Sequence, residues 1–137
     1  MLNNIPKSFT PELLKLLMEM GHGETLLLAD GNYPAKANCP PGGVILYIPA
    51  ESIQSLLADI LRFFPLDYVP AQPLAVMEKA AGNGVLQGYE AVAGAGKIEC
   101  VERFAFYEKA GKVAGIIVTA DQTPAANILL QKGVVQA

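Results

Sequence analysis

Hydrophobic residues recur along this 137-residue chain in two rhythms, which divide it into alternating helices and strands. The clearest rhythm is helical. Ile53, Leu56, Leu57, Ile60, Leu61 and Phe64 fall at i, i+3, i+4, i+7, i+8 and i+11, a single apolar stripe that Pro65 closes. An earlier helix starts at Thr10-Pro11-Glu12, where a capping hydroxyl is followed by proline in the first turn and then an acid. Glu12, Lys15 and Glu19 share one face of that helix, and leucines and methionines fill the rest. Such a helix is expected to be well buried, with Gly21 taking the left-handed conformation that ends it.

Residues 25–29 form an unbroken apolar run, which predicts a strand covered on both faces. Further strands are predicted over 44–48, 74–77, 98–101, 113–119 and 127–130. The β-branched run at 113–119 marks a central strand. Helices are predicted weakly around 87–93 and over 102–110, the latter ended by Gly111. A loop rich in Gly, Pro and Asn occupies 31–43, a proline-punctuated connection 66–73, and a turn or loop 121–124. Strands alternating with helices predict an α/β sheet with helices on its faces. Neither a repeat nor a linker divides the chain, so a single domain over 1–137 is expected.

Composition narrows the function classes. Half the chain is hydrophobic (52%) and only 17% is charged, enough to build a sizeable core. The net charge is −3 and no Lys/Arg cluster occurs, so nucleic acid is not an expected partner. No stretch approaches the roughly 18 apolar residues of a membrane span. The opening lacks the basic-then-apolar pattern of a signal peptide, so a cytoplasmic protein is expected. Cys39 and Cys100 have no metal-ligand spacing and are expected to be reduced. Gly94-Ala95-Gly96-Lys97 is not a phosphate loop, because Ala91 and Ile98 stand where that motif needs Gly and Ser or Thr.

His22, the only histidine, lies between two glycines just before the first strand. Histidine side chains exchange protons near neutral pH, with an unperturbed pKa of about 6.5. His22 is therefore a candidate acid/base, against the alternative of a simple cap on the helix C-terminus. Asp30 ends the first strand, where open α/β sheets bind ligands; the alternative is an Asx-turn ahead of Gly31, and the two are compatible. Arg103, in Arg103-Phe104-Ala105-Phe106-Tyr107, offers a fork of donors to the hydroxyl or ring oxygens of a ligand. The competing reading is aromatic packing with Arg103 paired to Glu102 or Glu108. Asn127, with both donor and acceptor, suits sugar orientation or a turn.

Together these segments resemble the family of fucose mutarotase and ribose pyranase (RbsD/FucU), over nearly the whole chain. The resemblance rests on Met18-Glu19-Met20-Gly21-His22-Gly23, on Ala29-Asp30-Gly31-Asn32-Tyr33-Pro34-Ala35, on Arg103 to Glu108, and on Asn127 to Val134. The Arg-Phe-Ala-Phe-Tyr-Glu stretch is closer to the fucose branch. The resemblance implies an RbsD-like three-layer α/β/α sandwich and a homodecamer. It also implies interconversion of anomers or ring forms of a free monosaccharide without metal or organic cofactor. It carries over His22 as catalytic acid/base, and Asp30, Arg103 and Asn127 as sugar-binding residues. Two departures stand out. Ala125-Ala126-Asn127 replaces the family's Tyr-Gly-Asn, and Asn32 replaces a histidine of fucose-type members. They leave open a non-catalytic monosaccharide-binding protein, or a ribose-type pyranase, as alternatives to an L-fucose-like mutarotase.

Overall fold

A computed structural model describes residues 1–137. It holds six strands: β1 (Thr25–Ala29), β2 (Val44–Tyr47), β3 (Leu74–Met77), β4 (Ile98–Val101), β5 (Gly115–Val118) and β6 (Ile128–Gln131). They form one sheet in the order β2-β5-β1-β6-β3-β4, with β6 antiparallel to both its neighbours and the other pairs parallel. The orientation of β6 follows from its connection. Only nine residues separate the end of β5 from Ile128. A parallel return would need a crossover of about a dozen residues or more.

Side chains alternate across this sheet, and both faces are buried. Leu26, Leu28, Leu74, Val76, Ile117, Ile128 and Leu130 point to one core, while Leu27, Ala29, Ala75, Met77, Ile116, Val118 and Leu129 point to the other. This is why the strands read as unbroken apolar runs. The larger core packs under α1 (Pro11–Glu19), α3 (Ile53–Leu61) and α5 (Val85–Ala93). The apolar stripe of α3 buries Ile53, Leu56, Leu57 and Ile60 at 1% exposure or less. The second core packs under α2 (Ala35–Asn38) and α6 (Arg103–Ala110), through Ala35, Phe106 and Ala110. The result is the expected α/β/α sandwich.

Three details differ from the sequence reading. First, α2 and α4 (Lys79–Gly82) are four-residue helical turns in segments without helical periodicity; they are too short to leave a repeating apolar stripe. Second, α3 is regular only to Leu61, although Phe64 still bonds back to the Ile60 carbonyl at 2.9 Å. Third, Gly21 is not left-handed. Helix α1 ends at Met20 in extended conformation, and the positive φ falls on Gly23 (86°). Gly23 then donates to the Lys132 carbonyl at 2.8 Å, tying the turn to the end of β6.

Candidate functional site

Because five strands are parallel, their carboxyl ends share one edge of the sheet. The amino end of β6 lies there as well. Asp30 follows β1, Arg103 opens α6 just after β4, and Asn127 precedes β6. These three line one cleft of about 540 Å³, together with Asn32, Tyr33 and Tyr107. That volume lies within the range of small-molecule sites.

Asp30 and Asn127 are both buried and coupled through the backbone. The Asp30 N–H donates to Asn127 Oδ1 at 2.8 Å, and the Asn32 N–H donates to Asp30 Oδ1 at 2.8 Å. The Asx-turn reading of Asp30 therefore holds, and the same carboxylate still borders the cleft. The neighbouring loop is fastened by several bonds. Thr119 Oγ1 donates to the Ala29 carbonyl at 2.8 Å, and Gly31 N–H donates to the Asp121 carbonyl at 2.9 Å. Asp121 Oδ2 accepts from the Ile53 N–H at 2.8 Å, linking that loop to the start of α3. Tyr89 Oη donates to the Ala126 carbonyl at 2.5 Å, and Asn83 Nδ2 donates to the Pro124 carbonyl at 3.0 Å. Ala125 between them holds a left-handed φ of 57°, unusual for a residue with a Cβ.

Arg103 has no carboxylate partner. Glu102 instead caps α6, its Oε2 accepting from the Ala105 N–H at 3.1 Å. The ion pairing of Arg103 with Glu102 or Glu108 considered from the sequence is not formed; the ion pairs are Lys15–Glu19 and Lys109–Glu99, beside the His22–Asp67 contact. The guanidinium lies 5.6 Å from the Phe104 ring centroid and 5.9 Å from that of Tyr107. Phe104 is itself exposed, so aromatic packing in this segment falls to Phe106 and, in part, to Tyr107. The donors of Arg103 are left free for a ligand.

His22 is not in this cleft. It precedes β1, whereas Asp30 follows it, and β1 alone spans about 16 Å at roughly 3.3 Å per residue. The two residues stand at opposite edges of the sheet. His22 does not cap α1 either; its Nε2 lies 3.2 Å from both carboxylate oxygens of Asp67. The side chain of His22 is 49% exposed and that of Asp67 only 3%. Asp67 also accepts from Gln131 Nε2 at 2.9 Å and from the Val69 N–H at 3.1 Å. Burial by itself would raise this carboxyl. The bonds from Val69, Gln131 and His22 outweigh it and hold Asp67 below the ordinary carboxylate range.

Asp67 escaped the sequence reading, which placed it within a proline-punctuated connection. It is 45 residues from His22, and no local pattern links them. The end of β6 brings them together. Asp67 N–H donates to the Gln131 carbonyl at 3.0 Å and Gly133 N–H to the Pro65 carbonyl at 2.7 Å. The backbones pack so closely that a Cβ on Gly133 would lie 2.5 Å from the Leu66 carbonyl oxygen. The same strand end holds Gly23 and hence His22.

Comparison with known proteins gives a consistent set of relatives. The profile of the RbsD / FucU transport protein family matches residues 3–135. A fucose mutarotase of Mus musculus is 37% identical, covering 96% of this chain and 94% of its own. A FucU crystal structure from Bifidobacterium longum superposes with a TM-score of 0.88 at 38% identity, covering 96% of this chain and 100% of its own. A fucose mutarotase from Streptococcus pneumoniae, in complex with L-fucose, superposes with a TM-score of 0.89 at 34% identity, covering 98% of this chain and 100% of its own.

Proposed function

The chain belongs to the RbsD / FucU transport protein family, and on that premise we propose that it is a cofactor-independent sugar mutarotase acting on a free monosaccharide of the L-fucose type. The observation that carries this reading is the convergence of Asp30, Arg103 and Asn127 on one cleft at the carboxyl edge of the sheet. An acceptor, a free fork of donors and an amide suit a polyhydroxylated ring.

Mutarotation removes a proton from the anomeric hydroxyl and delivers one to the ring oxygen. The ring opens to the aldehyde, the C1–C2 bond rotates, and the ring recloses on the other face. In the proposed site Asp30, Arg103 and Asn127 hold the sugar, and His22 moves the proton. An ionised Asp67 only accepts hydrogen bonds, so His22 carries a proton on Nε2 and presents Nδ1 as the exchanging nitrogen. Acid/base help of this kind is worth about 10²–10⁴-fold.

His22 cannot reach the cleft of its own chain, so the reaction as proposed runs between copies. His22 and Asp67 of one protomer complete the cleft of a neighbour in a homo-oligomer, for which the resemblance implies a decamer. Exposed Phe63, Tyr68, Val69 and Val135 flank the Asp67 segment and the chain end, giving apolar area for such a contact. The cytoplasmic setting belongs to the same proposal. No helix is long and apolar enough to cross a membrane.

Ala125 favours a second reading, a monosaccharide-binding protein without efficient catalysis, because it offers the cleft no polar side chain. Saturation-transfer NMR of anomer exchange separates the two. With L-fucose, D-ribose and related free sugars, a mutarotase accelerates exchange of at least one, and His22→Ala abolishes it. Ligand-induced shifts without acceleration for any sugar identify a binder. Acceleration for D-ribose alone identifies a pyranase.

A further inference from the structure

Tyr33 is the one residue of the cleft whose polar atom is buried and unpartnered. Its side chain borders the cleft beside Asp30 and the residue is only 7% exposed, yet its hydroxyl meets no partner in good hydrogen-bond geometry; the Asn38 amide is close enough to act on it without pairing it fully. Buried hydroxyls are almost always paired, because leaving one unpaired forfeits its hydration. In the same cleft Ala125 presents only a methyl group.

We propose that Tyr33 is a substrate-contacting residue, its phenol donating a hydrogen bond to a sugar oxygen when the cleft is filled. The inference rests on the sugar-site reading of the Asp30 cleft. A donor role fits the chemistry of the group. Burial first, then Tyr107 and Asp30, push its pKa up to about 12, while the nearby Asn38 amide pulls the other way. The phenol therefore stays protonated across the physiological range and orients an acceptor oxygen without acting as a base.

Access depends on Tyr107. The two rings are stacked with centroids 5.9 Å apart and an interplanar angle of 24°. Tyr107 is half-buried on α6, and no hydrogen bond anchors its hydroxyl; stacking on Tyr33 and the contact with Arg103 hold it. Tyr107 also packs at the margin of the second core, so a sugar that engages Arg103 need only shift its ring for the Tyr33 hydroxyl to gain a full partner.

The test is Tyr33→Phe beside Asp30→Asn, with KM and kcat for L-fucose from anomer-exchange NMR and melting temperatures from calorimetry. Monodeoxy analogues of L-fucose are the second probe. Tyr33→Phe is expected to raise KM about 3- to 10-fold, the worth of one neutral hydrogen bond, without lowering the melting temperature. It is also expected to lose the wild type's discrimination against the one analogue that lacks the contacted oxygen. Unchanged KM and discrimination in Tyr33→Phe, with exchange lost in Asp30→Asn, overturn the role of Tyr33 and leave the sugar site standing. A raised KM accompanied by a lower melting temperature and intact discrimination overturns it too, reducing Tyr33 to packing. Wild-type exchange in Asp30→Asn removes the site reading itself, and the Tyr33 role with it.

Discussion

The two edges of the sheet are built for different work. At the carboxyl edge, short parallel strands release Asp30 and Arg103 into a cleft, and a loop tied down by Tyr89, Asn83 and Thr119 delivers Asn127 beside them. The groups there are mostly neutral or unpaired by charge, as suits holding a polyol. At the amino edge, the end of β6 clamps one titratable pair, His22 on Asp67, with the carboxylate buried and the imidazole half open to solvent. One edge offers hydrogen-bonding groups, which the proposed function assigns to the sugar, and the other a titratable pair, which it assigns to proton transfer. A strand spans the distance between them, so a reaction that needs both needs two chains.

The largest expected effect breaks that division directly. Asp30→Asn and His22→Ala are each expected to lose mutarotation, by about 10²–10⁴-fold for the histidine. Oligomers reassembled from a mixture of the two inactive variants contain some sites with both residues intact. Partial recovery of anomer exchange is expected on mixing, and no recovery would restrict both groups to one chain.

Gly133→Ala sharpens the amino edge. The new Cβ would meet the Leu66 carbonyl oxygen at 2.5 Å and Asp67 Cα at 2.8 Å, so the segment carrying Asp67 must shift. Chemical denaturation is expected to show a loss of about 1–3 kcal/mol, the usual cost of overpacking. Exchange should fall further than sugar binding, because the shift acts on the proton carrier.

Asn127→Ala tests the carboxyl edge. It strips the buried Asp30 N–H of its acceptor, a penalty of about 1–3 kcal/mol for the unsatisfied donor. Here titration with sugar is expected to show weakened binding, the opposite pattern to Gly133→Ala.

The smallest effect is on acid stability. Asp67 is held below its ordinary value in the fold, so its contribution is present above the unfolded carboxyl range and is lost as pH falls through the folded value. Asp67→Asn is expected to flatten the acid limb of a stability-against-pH curve measured by denaturant unfolding. An unaltered limb would mean that other carboxylates carry it.

Much of this architecture was legible in one dimension. The apolar stripe of α3 and the unbroken runs of β1, β3 and β5 read correctly because burial on one helical face, or on both faces of a sheet, writes itself into local periodicity. Asp30, Arg103 and Asn127 were legible as candidates because each sits at a strand end or helix start, and parallel strands bring such positions to a common edge. His22 was legible as a titratable candidate from its type and its glycine-flanked turn. Asp67 and the unpartnered state of Tyr33 were not, since their meaning lies in contacts with residues far along the chain or in the absence of any. Proximity in sequence does not mean proximity in the fold. His22 and Asp30 are eight positions apart and face opposite ways, because an extended strand carries its two ends apart. The sequence determined the elements, their burial and the chemical groups on offer. Tertiary structure alone decided that His22 meets Asp67, because the end of β6 and the close approach at Gly133, both products of long-range pairing, bring together two side chains 45 residues apart.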